Sequence, residues 1–148
     1  MLIILDTGPL GMVTNPRGGP EATRCATWLM GILAKGVQVR VAEIADYELR
    51  RELLRAGRVE GLSRLDRLKE ALGYLPITTD AMLMAAGFWA RARNLGRPTA
   101  DDKAIDADMI LSAQAVLAGA DDDPTIIATT NVGHLNLFCE ARFWSEIQ

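Results

Sequence analysis

The sequence is poor in cysteine, histidine and aromatic residues, and it has neither a basic excess nor a long apolar run. Cys25 and Cys139 are the only cysteines in 148 residues. They fit no disulfide framework and no zinc-ligand spacing, and two isolated thiols suit a reducing compartment. His134 is the sole histidine, which together with two distant thiols argues against a zinc site. No uncharged run approaches the ~20 residues of a membrane span. Residues 1–5 are apolar but too short for a signal peptide, and Asp6 interrupts them. The expectation is a cytoplasmic protein with no membrane partner. The formal net charge is −3, whereas a protein that coats phosphates by itself is usually basic. A nuclease stays open, because metal ions can supply positive charge at a site. With aromatics at 5%, no stacking platform is evident and no base preference can be read.

What is present is one domain of ordinary globular composition, expected to span residues 1–148. Residues 2–5, Leu-Ile-Ile-Leu, read as a strand buried on both faces, stopped by Asp6-Thr7-Gly8-Pro9. Residues 14–20 are dense in turn formers and read as a loop. Apolar spacing predicts helices over 21–35, 43–56, 62–72, 81–95 and 106–118, several closed by glycine. Asp80 is the expected cap of the fourth. The last is apolar nearly all round and so expected to be buried, with Val116 and Leu117 included. Strands are predicted at 37–41, 74–77 and 125–128, the second of these at an edge because of Pro76. Residues 97–104 read as a polar loop, 131–138 as a short helical turn, and a last short strand falls near Phe143. Trp28, Phe88, Trp89, Phe143 and Trp144 are expected mostly in the core. Strands alternate with helices, which implies right-handed crossovers and a parallel sheet between helical layers.

Ligands of open parallel sheets bind beyond the carboxyl ends of the strands. Asp6 follows the first strand there. Asn131 follows the fourth, through Thr129-Thr130. Glu48 borders the apolar stripe Ala45-Leu49-Leu53-Ala56 of its helix, with Glu52 one turn on. Asp106 and Asp108 are expected to open a buried helix, where the N-terminal dipole favours carboxylates. Clustered carboxylates repel one another and raise each other's pKa. A divalent cation removes that penalty, and Mg²⁺ takes oxygen ligands from a few carboxylates while keeping several waters. Such a centre suits phosphodiester hydrolysis. Taken singly, Asp6 can be a turn former, Glu48 a solvated or salt-bridged residue, Asp106 and Asp108 caps, and Asn131 a turn residue. Their common placement at one end of the sheet carries the argument.

The order Asp6-Thr7 after a strand, Glu48-Leu49 in a helix, Asp108-Met109-Ile110-Leu111-Ser112-Ala113-Gln114-Ala115, then Ala128-Thr129-Thr130-Asn131 resembles the PIN domain over nearly the whole chain. The resemblance implies a doubly wound, three-layer α/β/α fold and a nuclease that uses Mg²⁺ or Mn²⁺. Many small members of that family look like the RNA-cleaving toxin of VapBC-type toxin–antitoxin pairs. It implies metal ligation by Asp6, Glu48 and Asp108, with Asp106 joining or replacing Asp108. It puts Asn131 at the fourth acidic position and Thr129 at the hydroxyl position near the site. It also implies a homodimer and an antitoxin partner. Asn131 is neutral where many members carry Asp, and Glu43 and Glu52 compete with Glu48.

Thr7 and Thr129 are candidate substrate contacts beside the acids. Arg91, Arg93, Arg97 and Lys103 flank the segment leading to Asp106 and can bind substrate phosphates, or form a solvated helix end. Arg50 and Arg51 can do the same, or pair with Asp46 and Glu52. The rival is a catalytically weak PIN-like module that binds nucleic acid or a protein. A haloacid-dehalogenase-like phosphatase needs a second Asp two residues after the first, and position 8 is Gly. A nucleotide-binding protein needs a glycine-rich phosphate loop after a strand, which is missing.

Overall fold

The computed structural model describes residues 1–95, 102–119 and 123–148. Strand β1 (Leu2–Leu5) is buried along its whole length, as a four-residue apolar run between two layers must be. It pairs in parallel with β2 (Gln38–Ala42) on one side and β4 (Thr125–Thr129) on the other, Leu5 standing opposite Val41 and Ala128. β3 (Tyr74–Leu75) extends the sheet beyond β2, and β5 (Glu140–Phe143) beyond β4, both parallel. The order β3-β2-β1-β4-β5 places the topological switch point between β1 and β4. The predicted third strand is shorter than its expected 74–77 and lies at the edge, where Pro76 follows it.

Helices α1 (Thr7–Thr14), α2 (Pro20–Ala34), α3 (Glu43–Arg55) and α4 (Val59–Leu72) cover one face of the sheet. Their core joins Leu10, Cys25, Leu29, Ala45 and Leu65 to Ile3, Leu5, Val39, Val41, Ile126 and Ala128. Helix α6 (Asp102–Ala118) covers the other face, with Leu111 and Ala115 against Leu2, Ile4 and Ile127. Helix α5 (Thr79–Asn94) packs behind α6 through Ala81, Ala85, Ala92, Met109 and Ala113. The result is the expected α/β/α sandwich.

Several local expectations are corrected. Residues 7–14 form a helix where a turn and the start of a loop were read. Asp6 is its N-cap, its carboxylate accepting from the Thr7 amide, and Pro9 falls in the first turn, where its missing N–H costs nothing. Helix α4 starts at Val59 rather than Leu62. The cap of α5 is Thr78, whose hydroxyl accepts from the Ala81 amide at 3.1 Å, not Asp80. Helix α6 begins at Asp102, so part of the expected polar loop is helical and Asp106 and Asp108 lie past the helix opening. Val116 and Leu117, at its far end, are exposed, as are Trp89 and Phe143, because these positions face away from both packed surfaces.

Candidate active site

The switch point brings the ends of β1 and β4 side by side. Asp6 extends β1, and its amide donates to the Ala128 carbonyl at 3.0 Å. The Asp6 carboxylate is held twice: Oδ1 accepts from the Thr7 amide at 2.7 Å, and Oδ2 accepts from the Thr129 hydroxyl at 2.6 Å. The Thr129 Oγ1 is buried and also accepts from the Asn131 amide at 3.0 Å. These bonds oppose the effect of burial, which raises the Asp6 carboxyl above its ordinary range.

Glu48 comes from α3. Its Oε1 accepts from the Thr7 hydroxyl at 2.9 Å, which ties it to α1 and turns it toward Asp6. Its Oε2 lies 3.8 Å from the Arg51 guanidinium, one turn along the same helix. Asp108 comes from α6 on the opposite face. Burial, then the charge of Asp6, then that of Glu48 push its carboxyl up to about 7. Asp6, Glu48 and Asp108 therefore form one electrostatic group, supplied by three separate elements. Gly8 lets α1 approach the strand end: a Cβ there would stand 2.5 Å from the Thr130 hydroxyl.

The donor set is all hard oxygen, with three carboxylates and only a flanking arginine, which suits a cation such as Mg²⁺ or Mn²⁺. The carboxylates are grouped but not closed on one point: among the described residues no three Asp, Glu, His or Cys side chains already stand in ligand geometry. Like charges hold apart, and Asp6 and Glu48 turn to the amide and hydroxyls around them.

The other candidates are placed as follows. Asp106 is exposed, two residues before Asp108 and so on a different side of α6. Asn131 is exposed at the mouth, its amide held by Thr129. His134 caps the 3₁₀ turn Leu135–Leu137. Glu52 pairs with Arg55 at 2.9 Å, and Glu43 accepts from the Ile77 amide, so both are engaged away from the group. Arg50 pairs with Asp46 and Asp66, not with Glu52. Arg91 and Arg93 lie over the rings of Phe138 and Trp89. Arg97 and the side chain of Lys103 lie outside the described residues.

Two residues stand in places that periodicity did not show. Gln114, inside the motif of α6, accepts from the Ile44 amide at 3.4 Å and donates to the Leu75 carbonyl at 2.8 Å. It stitches the start of α3 to the end of β3 and so fixes the helix that carries Glu48. Tyr47, next to Glu48, is an exposed aromatic at the rim. An aromatic beside a candidate ligand was the signal available for it.

No protein-family model matches the chain, and no curated protein matches it. Solved structures match over nearly the whole length. VapBC2 from Rickettsia felis, bound to a DNA fragment from its promoter, aligns at TM-score 0.72 and 15% identity, over 97% of this chain and 99% of that chain. FitAcB from Neisseria gonorrhoeae aligns at 0.70 and 19%, over 98% and 99%. VapBC-1 from nontypeable Haemophilus influenzae aligns at 0.69 and 15%, over 99% and 100%. The chain has the PIN-like α/β/α fold of these proteins.

Proposed function

We infer that the protein is a metal-dependent endoribonuclease of the PIN type, hydrolysing RNA phosphodiester bonds with Mg²⁺ or Mn²⁺. The observation that carries this is the meeting of acids from three separate elements at the carboxyl end of the sheet: Asp6 and Glu48 are both held by Thr7, and Asp108 reaches their charges from α6. Three acids grouped at the switch point make sense as ligands. Asp6, Glu48 and Asp108 would hold the cation, with Asp106 able to join only from its exposed side of α6. A hard divalent cation there supplies charge for the scissile phosphate and lowers the pKa of water. The chain's own residues do the positioning. Thr129 and the Thr7 amide fix both oxygens of Asp6, and the Thr7 hydroxyl orients Glu48. Asn131, exposed at the mouth, can offer its amide to substrate.

Labelled single-stranded RNA, incubated with Mg²⁺ or Mn²⁺ with and without EDTA, tests this beside Asp6→Asn. Asparagine keeps an N-cap acceptor, so α1 should persist. Chelator-sensitive cleavage lost in the variant supports the nuclease. Cleavage that survives both EDTA and Asp6→Asn sinks it.

The second reading is a catalytically weak module that binds nucleic acid or protein, favoured by the neutral Asn131 in the fourth acidic position. Folded protein that binds RNA but never cuts it would decide for this reading.

The matching structures are of VapBC and FitAB, and the sequence resembles the toxin half of VapBC-type pairs, so an antitoxin is the proposed protein partner. A second copy of this chain is the other. Helix α5 leaves Met82, Leu83 and Trp89 exposed, apolar surface available to a homodimer. Sedimentation of wild type and Leu83→Glu tests it: a dimer that becomes a monomer supports this face, and a dimer that persists excludes it. Among the described residues, no helix is long and apolar enough to cross a membrane.

A further inference from the structure

Arg51 and Tyr47 lie just outside the carboxylate group. Arg51 is three residues after Glu48 and four after Tyr47, so on the surface of α3 it stands between them. Its guanidinium lies 3.8 Å from Glu48 Oε2 and 5.3 Å from the centre of the Tyr47 ring. The Arg51 side chain is 53% exposed and Tyr47 is 56% exposed, so both remain open to a ligand.

An exposed tyrosine means little alone. Tyr47, however, walls a hollow of about 530 Å³ whose lining includes Ile44, Tyr74 and Ile77. The charged groups of that hollow are already engaged. Asp46 pairs with Arg50 and Lys69, and Glu43 accepts from the Ile77 amide. The surface left for a ligand is apolar and aromatic. Tyr47 is its wall on the side of Arg51, and Arg51 in turn lies beside Glu48.

Single-stranded nucleic acids are held by this combination: a cation on the backbone and an aromatic face under a base. A guanidinium is well matched to a phosphate, and Glu48 and the Tyr47 ring hold this one in place. We propose that Arg51 and Tyr47 are positioning residues for single-stranded RNA. Arg51 takes the phosphate next to the one at the carboxylates, and Tyr47 stacks the attached base at the mouth of the hollow. The proposal takes its substrate class from the nuclease reading above.

The test is binding, read by fluorescence anisotropy on a short, labelled, mixed-sequence RNA and on its abasic counterpart. Ca²⁺ replaces Mg²⁺ to slow cutting. Wild type should bind the intact RNA about tenfold more tightly than the abasic one. Tyr47→Ala should abolish that preference, and Tyr47→Phe should keep it. Arg51→Gln should make the slope of log affinity against log salt shallower by about 0.7, the share of one phosphate contact on a single strand. Arg51→Lys should keep the wild-type slope. Both positions are exposed, and thermal melts should confirm folded variants.

An unchanged base preference in Tyr47→Ala overturns the proposal, as does an unchanged salt slope in Arg51→Gln. So does wild-type protein that does not bind the RNA. A dimer lost in Tyr47→Ala with RNA affinity intact overturns it in favour of a second copy in the hollow. Cleavage of the same RNA with Mn²⁺ is scored separately. Cleavage with insensitive variants removes this proposal alone. Variant-sensitive binding without cleavage removes the nuclease reading and keeps the positioning pair.

Discussion

The Thr129 hydroxyl donates to Asp6 Oδ2 at 2.6 Å, joining the ends of two adjacent parallel strands across 123 residues of sequence. Asp6 thereby becomes a carboxylate with a fixed direction, and the mouth of the switch point is set by side chains as well as by the sheet.

Thr129→Val keeps the shape and removes the donor. Thr129 is fully buried, so the lost bond to a charged acceptor should cost about 1.5–3 kcal/mol in urea denaturation. Under the nuclease reading, RNA cleavage should fall at least about tenfold, since a loss of 1.4 kcal/mol in positioning already amounts to that. Thr129→Ser restores the donor and should recover most of both. Equal stability and activity in the valine variant would mean that the bond neither holds nor orients Asp6.

The raised Asp108 carboxyl makes a pH prediction. It sits at about 7 in the folded protein and near 3.9 when unfolded. Between those values the native state binds more protons than the unfolded state. Stability is therefore full below about pH 4 on this account and is lost as pH rises through about 7. Asp6, also raised, acts in the same direction. In EDTA the protein should melt several degrees higher at pH 5 than at pH 8, a range set by ~2–4 °C per kcal/mol for a chain of this size. Asp108→Asn should flatten the difference. A melting temperature that rises from pH 5 to pH 8 would mean that the group is not strained by its neighbours.

Much of the sheet was legible because buried parallel strands are short apolar runs, as at Leu2–Leu5, and because the helices between them carry apolar spacing, as in α3, or are apolar nearly all round, as in α6. The strand order was not legible: it is the pairing of β1 with β4 in the structure that brings Asp6 and Asn131 to one place. Helix α1 was not legible: Asp6-Thr7-Gly8-Pro9 has the composition of a turn, yet Asp6 caps a helix and Pro9 is tolerated in its first turn. Glu48 was separable from Glu43 and Glu52 only through the Thr7 hydroxyl, a contact 41 residues away that no local pattern records. Tyr47 looked like one aromatic among few. Its place beside Arg51 follows from the four-residue step of α3, but the hollow it walls depends on how α3 meets β3, which Gln114 fixes from another element.

Asp46 makes a prediction about stability away from the acids. It is 5% exposed and bridges α3 to α4, with Arg50 at 2.9 Å and Lys69 at 3.2 Å. Asp46→Ala leaves two cations facing each other without their shared anion. It should cost about 1.5–3 kcal/mol by urea titration, the range for hydrogen bonds to charged groups. Asp66→Ala, on the exposed side of Arg50, should cost much less than Asp46→Ala, because solvent screens that pair. If the two variants were equal, the burial of Asp46 would contribute nothing to joining the helices.

Divalent cation should stabilise the folded chain through the three carboxylates. An ion that binds only the native state adds RT ln(1 + [L]/Kd), about 2.7 kcal/mol at a hundredfold excess over Kd. Mn²⁺ or Mg²⁺ added to EDTA-stripped protein should therefore raise the melting temperature, and more at pH 8 than at pH 5, since protonated Asp108 is a poor ligand. Asp6→Asn and Asp108→Asn should each blunt the rise, whereas Asp106→Asn should do so less, because Asp106 lies on the exposed side of α6. An Asp106 variant that loses the response as fully as Asp108→Asn would shift the ligand set outward along α6. A response that no carboxylate substitution changes would put the cation elsewhere on the protein and leave the group at the switch point without the role proposed for it.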